Sequence, residues 1–114
     1  MVTHEEHDLA TEAGKHIRES GRYIVAARYD VASQTMFVTF KAGFTLSFPK
    51  DRCQVTAQAI DDDLSQIEIS PAGWSIDFPK IDDGITAEGL LAGRFGSARW
   101  EREWAEKHRD MQAA

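Results

Sequence analysis

The stretch AGFTLSFPK at residues 42–50 returns thirty positions later as AGWSIDFPK at residues 72–80. Each copy opens on Ala-Gly, alternates three apolar side chains along one face, and stops at Phe-Pro-Lys. A period of two marks a strand with one buried face. Glycine supplies a turn with positive φ, and proline has no amide with which to continue a ladder. Running the comparison on from Ala42 and Ala72 gives seven identities in nineteen positions, the last being Thr56/Thr86 and Ala57/Ala87. Each unit therefore reads as hairpin, strand, Phe-Pro-Lys stop, loop and Thr-capped helical turn. One hairpin with an apolar face is marginal alone, whereas two bury each other's aromatics; two units are too few for a solenoid. The expectation is an α+β fold of small antiparallel sheets from two repeated hairpin–Pro–short-helix units. Phe48 and Phe78 then occupy equivalent core positions. Duplication explains the joint match of turn, stop and cap; convergent hairpin chemistry is the alternative origin.

Outward from these copies the pattern stays regular. RYIVAARYD (residues 22–30) and QTMFVTF (residues 34–40) are rich in β-branched and aromatic residues and read as two strands before the first copy. LSQIEIS (residues 64–70) alternates into the strand that precedes the second. Residues 54–60 are a short helical candidate, Thr86 caps AEGLLAG, and Ser97 caps ARWEREWAEKHRDM. Thr3 and Glu6 form a capping box ahead of Leu9, Ala10, Ala13 and Ile17, which predicts a helix over residues 4–20. The whole is one domain over residues 1–114: an N-terminal helix (1–21), two β units (22–60 and 61–93) and a C-terminal helix (97–111).

Charge is unevenly placed. The formal net charge is −6, yet residues 1–60 balance at seven acids and seven Lys or Arg. Residues 61–88 hold eight acids against Lys80 alone. A surface of that sign repels phosphate backbones and disfavours nucleic acid as a partner. No apolar run approaches the ~20 residues needed to span a bilayer, and the acidic N-terminus lacks the pattern of a signal peptide. Cys53 is the only cysteine, which leaves no internal disulfide. A cytoplasmic location without membrane contact is expected.

Catalytic signals are weak. Cys53 lies beside Arg52 but in no nucleophile motif, and a small buried thiol is the commoner case. HEEH at residues 4–7 brings His4 and His7 to adjacent positions near a helix start, two ligands where a closed zinc site wants four. The DDD at residues 61–63 and Asp82-Asp83 do not space ligands as a calcium loop does. No catalytic, cofactor-binding or metal site is therefore assigned, and no cofactor is expected. Binding signals are stronger. Trp100, Trp104, His108 and Met111 fall on one helical stripe, and each tryptophan contributes about 1.5–3 kcal/mol if buried. That stripe packs on the chain's own sheet or docks a partner, with Phe95-Gly96 as a hinge. Lys50 and Lys80 occupy matching places after the two prolines and offer a symmetric anion-binding pair; solvated lysines are the commoner alternative.

LSQIEISPAGWSIDFPKIDDGITAEGLLAGRFGSARW (residues 64–100) resembles a bacterial family known as domain of unknown function 2442. The shared order is an isoleucine-rich strand, a Pro-x-Gly turn, an aromatic strand, Phe-Pro, Ile-Asp, Leu-Leu-x-Gly and Phe-Gly. AARYDVASQTMFVTFKAGFTLSFP (residues 26–49) is similar to that family's first half. This chain departs where the family spaces two acids as Asp-x-Asp, since Asp82 and Asp83 are adjacent. The resemblance implies a small α+β fold and a cytoplasmic bacterial protein with no settled activity. It also implies a regulatory or toxin–antitoxin-like pairing with another small protein. The expected function is thus a non-catalytic protein-binding or regulatory module, antitoxin-like, whose acidic middle faces a small basic protein or whose edges meet a second copy. Trp100, Trp104, Asp82, Asp83, Lys50 and Lys80 are the candidate partner-binding residues. The alternatives are a dimeric DNA-associated regulator working through Arg18, Arg22, Arg28, Lys41 and Arg52, and a small enzyme or metal-binding protein.

Overall fold

A computed structural model describes residues 20–109. The helix expected over residues 4–20, with His4 and His7, lies almost wholly outside the described residues. Within them the chain is α+β, with two three-stranded antiparallel sheets. The first contains β1 (Ile24–Asp30), β2 (Thr35–Phe40) and β3 (Thr45–Pro49) in sequence order. The second contains β4 (Glu68–Ile69), β5 (Ser75–Phe78) and β6 (Asp83–Thr86), again in sequence order. Between the sheets run two 3-10 turns, Lys50–Arg52 and Asp61–Leu64, flanking the short helix α1 (Gln54–Ala57). Helix α2 (Ala87–Leu91) comes directly after β6, and α3 (Ala98–Lys107) comes last. Among the described residues no helix is long and apolar enough to cross a membrane.

The alternation read from the sequence places the core. Met36, Val38 and Phe40 on β2 are buried while Thr35, Phe37 and Thr39 between them are not. Phe48 from β3 and Ile76 and Phe78 from β5 join the same cluster, as do Leu64 and Leu90. One segment ties the sheets together. The Lys41 amide donates to the Tyr23 carbonyl at 3.0 Å and the Ala42 amide to that of Gly21 at 3.1 Å. On its other side the Ile24 amide donates to the Gly73 carbonyl at 2.7 Å. The two Ala-Gly turns thus grip the chain just ahead of β1 from opposite hairpins.

The two nonapeptides share their turn and their buried phenylalanine, and then diverge. Gly43 and Gly73 both have positive φ, 102° and 72°. Yet β3 is the outer strand of its sheet, whereas β5 is the middle strand of its own. After Pro49 the chain enters a 3-10 turn; after Pro79 it folds back as β6, a strand the sequence reading leaves as loop. Thr86 caps α2 as expected, its hydroxyl accepting the Gly89 amide at 3.0 Å. Thr56 does not cap: it sits within α1, fully buried, donating to the Lys50 carbonyl at 2.7 Å. Phe44 and Trp74, expected on the buried faces, precede their strands and are 43% and 50% exposed. The repeated hairpin–Pro–short-helix unit therefore holds for the turn and the strand, and the two copies part company after the proline. Thr56→Val should lower stability by about 1–3 kcal/mol, because the Lys50 carbonyl loses a buried donor. Thr86→Ala should cost about 1 kcal/mol as a lost cap; urea denaturation of both variants checks the order.

Candidate functional site

The C-terminal helix is held chiefly through Arg52, and at its start by the Ser97 amide donating to Gln54 Oε1 at 2.9 Å. Ser97 accepts the Trp100 amide at 3.1 Å and starts α3, none of whose residues is fully buried. Its inward face is the expected tryptophan stripe, and the partner of that stripe is Arg52 together with its neighbours. The Trp100 indole Nε1–H donates to the Arg52 carbonyl at 3.0 Å. The Arg52 guanidinium lies 4.7 Å from the Phe95 ring and 4.9 Å from the Trp104 ring. It also donates to Glu101 Oε2 at 2.7 Å. Glu101 Oε1 accepts the Phe95 amide at 2.8 Å, and the Gln54 amide donates to the Phe95 carbonyl at 2.8 Å. The Phe95-Gly96 joint is therefore pinned through both backbone groups of Phe95, with its ring 5.3 Å from Phe48. The bond from Arg52 is the main reason the Glu101 carboxyl titrates below its ordinary value. His108 continues the stripe by stacking on Trp104 at 3.8 Å, and Met111 lies outside the described residues.

The lysine pair ends on the chain's own oxygens. Lys50 Nζ, largely buried, donates to the Ala57 carbonyl at 3.0 Å and so closes the end of α1. Lys80 Nζ reaches Asp62 Oδ2 at 3.0 Å and ties the β5 terminus to the second 3-10 turn. The two ammonium groups are held by different oxygens of the chain, Lys50 by the Ala57 carbonyl and Lys80 by Asp62. Asp82 turns the chain into β6 at φ 50°, and Asp83 Oδ1 accepts the Gly84 amide at 2.8 Å. Both are exposed. Among the described residues no hydrogen bond, ion pair or ring contact joins them to Trp100 or Trp104. The six candidates therefore form separate groups: an aromatic clamp, two structural lysines and an acidic turn.

That turn adjoins a feature invisible in one dimension. Glu68 on β4 stands directly opposite Asp77 on β5, and Asp77 stands opposite Gly84 on β6. Both acids are exposed and neither has a cation in contact among the described residues. A Cβ added at Gly84 would collide with Asp77 Oδ1, so the carboxylate lies across the β6 backbone. The other acids of this region are engaged. Asp61 accepts the Tyr29 hydroxyl at 2.5 Å; burial, then that bond and the charges of Asp61, Asp51 and Asp30, push the Tyr29 hydroxyl up to about 12. Asp63 accepts the Ile60 amide at 3.3 Å.

The remaining candidates are scattered. Cys53 is buried, and that burial pushes its thiol up, away from the thiolate a nucleophile needs. Among the described residues no group of three or more His, Cys, Asp or Glu could hold a metal ion. Of the basic residues named for a DNA contact, Arg52 belongs to the α3 clamp, Arg28 lies 4.1 Å over the Phe37 ring, and Arg22 and Lys41 are exposed. Arg18 lies outside the described residues.

The sequence profile of the family described as "Protein of unknown function (DUF2442)" matches residues 24–96, from the first residue of β1 to the pinned glycine before α3. The chain belongs to that family. No curated protein matches it. This DUF2442 chain is similar to two solved structures. One is a crystal structure of a protein of unknown function from Rhodospirillum rubrum, at 33% identity and a TM-score of 0.63, covering 68% of this chain and 94% of that one. The other is the solution structure of the uncharacterized protein CV0863 from Chromobacterium violaceum, at 27% identity and a TM-score of 0.70, covering 90% of this chain and 94% of that one. The DUF2442 match spans both sheets, α1 and α2, and stops short of α3.

Proposed function

We propose that this chain is a non-catalytic protein-binding or regulatory module, antitoxin-like in its logic, whose second sheet receives a small basic protein. The observation that carries the reading is Glu68 opposite Asp77 with no cation beside them among the described residues. Like charges directly opposite on an antiparallel pair destabilise it, and a basic partner turns that repulsion into attraction. Asp82 and Asp83 on the neighbouring turn extend the negative surface, and the whole lies within the stretch of eight acids and one lysine. Such complementarity steers encounter and rejects partners of the wrong sign. Trp100 and Trp104 hold α3 against Arg52, outside this surface.

An amide-shift titration of the isotope-labelled protein with a short Arg/Lys-rich peptide tests the reading. Shifts should cluster at Glu68, Asp77 and residues 82–84, and should weaken as salt rises and screens the charges. The Glu68→Gln/Asp77→Asn variant should lose the shifts while gaining roughly 0.2–1 kcal/mol of stability from removed repulsion. Shifts confined to α3, or absent altogether, would overturn the assignment.

A further inference from the structure

We propose that β3 is the seam of a two-fold dimer, pairing antiparallel with β3 of a second copy of this chain. This goes beyond the basic-partner reading, since it uses the outer strand of the first sheet and none of the acids of the second. On the side facing β2, the Phe40 amide donates to the Phe44 carbonyl at 3.0 Å and the Lys50 amide to the Gln34 carbonyl at 2.8 Å. With the register Val38↔Leu46 and Met36↔Phe48 between them, the even-numbered residues of β3 form the ladder to β2. The backbone N–H and C=O groups of Thr45 and Ser47 therefore point away from β2. Both residues are exposed, and among the described residues no backbone group pairs with that edge.

Natural edges are blunted by charge, brevity or cover, and the neighbouring edges of this fold show each device. The outer edge of β1 receives the Gly73 turn through Ile24. Strand β4 has two residues, and β6 opens on Asp83-Gly84. Strand β3 is five residues without a charge.

The open groups select a second copy and one register. An isologous contact must be self-complementary. Placing Thr45 of one chain opposite Ser47 of the other does this twice, forming four N–H···O=C bonds about an axis at Leu46. A shift toward the C-terminus would pair Thr45 with Pro49, which has no N–H. A shift toward the N-terminus would pair Ser47 with Gly43, whose amide is already bonded to the Phe40 carbonyl at 3.0 Å. The remaining register brings the half-buried Leu46 side chains together at the close, non-hydrogen-bonded pair. It also sets Lys41 of one copy toward Asp51 of the other, two exposed side chains of opposite sign.

Sedimentation equilibrium and amide hydrogen exchange of the full chain, from about 10 μM to 1 mM, test the seam. The expected result is a mass rising toward two chains, with protection of the Thr45 and Ser47 amides growing by about tenfold or more over that range, as mass action requires. Ser47→Pro removes an outward amide where an edge strand tolerates proline, and should leave a monomer of unchanged circular dichroism. Ser47→Ala keeps the amide and should still dimerise. A single-chain mass at 1 mM would overturn the proposal. So would a dimer whose Thr45 and Ser47 amides exchange freely, a result read on the unaltered chain whether or not the proline variant folds.

Discussion

Gly73→Ala is expected to lower the unfolding free energy by about 3 kcal/mol or more, against about 1–2 kcal/mol for Gly43→Ala. The two glycines are counterparts in sequence and share a left-handed backbone, so both substitutions carry the conformational term. Their surroundings differ. A Cβ at Gly43 would meet nothing within 4 Å, whereas one at Gly73 would lie 2.5 Å from the Ile24 carbonyl and 3.0 Å from the Ile24 amide. That amide is the donor that joins the sheets, so the clash also strains a buried hydrogen bond worth about 1 kcal/mol. Denaturant unfolding of the two variants at one temperature measures the difference directly. Equal losses would mean that the Gly73 turn does not bear on β1, and the account of how the sheets are joined would fail with it.

Much of this fold can be read in one dimension because its strands alternate. Five of the six strands fall within the expected runs, since Met36, Val38, Phe40, Phe48, Ile76 and Phe78 announce their common face by spacing alone. The missed strand, β6, contains Asp83 and Gly84, residues poorly suited to strands. It exists because β5 needs a partner on its second side and because Ile85 finds the core, which are tertiary reasons. The repeat misleads for a related cause. Identical letters at Thr56 and Thr86 cannot show that one hydroxyl faces a buried carbonyl and the other a solvated helix start.

The candidate site is less legible than the fold. The stripe Trp100–Trp104–His108 is plain from helical spacing, but its counterpart Arg52 stands 48 residues before Trp100. Arg52 read as a candidate DNA contact because an arginine in a sequence carries no sign of what it stacks on. Glu68 and Asp77 are nine positions apart, and only the register of β4 on β5 makes them neighbours. Lys50 and Lys80 look symmetric until the carbonyl of Ala57 and the carboxylate of Asp62 are seen to hold them.

Arg52→Ala is expected to release α3 at a cost of about 2–3 kcal/mol in docking, by removing the contacts with Phe95 and Trp104 and the bond to Glu101 together. Helix α3 has ten residues, below the ~12–15 at which an isolated helix becomes even marginal in water. Undocking should therefore also melt it, seen as lost helical circular dichroism and a red-shifted tryptophan emission while the sheet amides keep their protection. Arg52→Lys keeps the charge without the planar fork and should fall between. Acid should act on the same joint with a definite sign. Because the folded Glu101 carboxyl titrates below its ordinary value of 4.5, its contribution is complete above that value and disappears as pH falls through the lower folded one. Acid below that ordinary value should thus loosen α3 before the sheets, and Glu101→Gln should remove that step from the pH profile. If Arg52→Ala instead unfolds the sheets and α3 in one transition, the helix is part of the core and the Arg52 clamp is the wrong description.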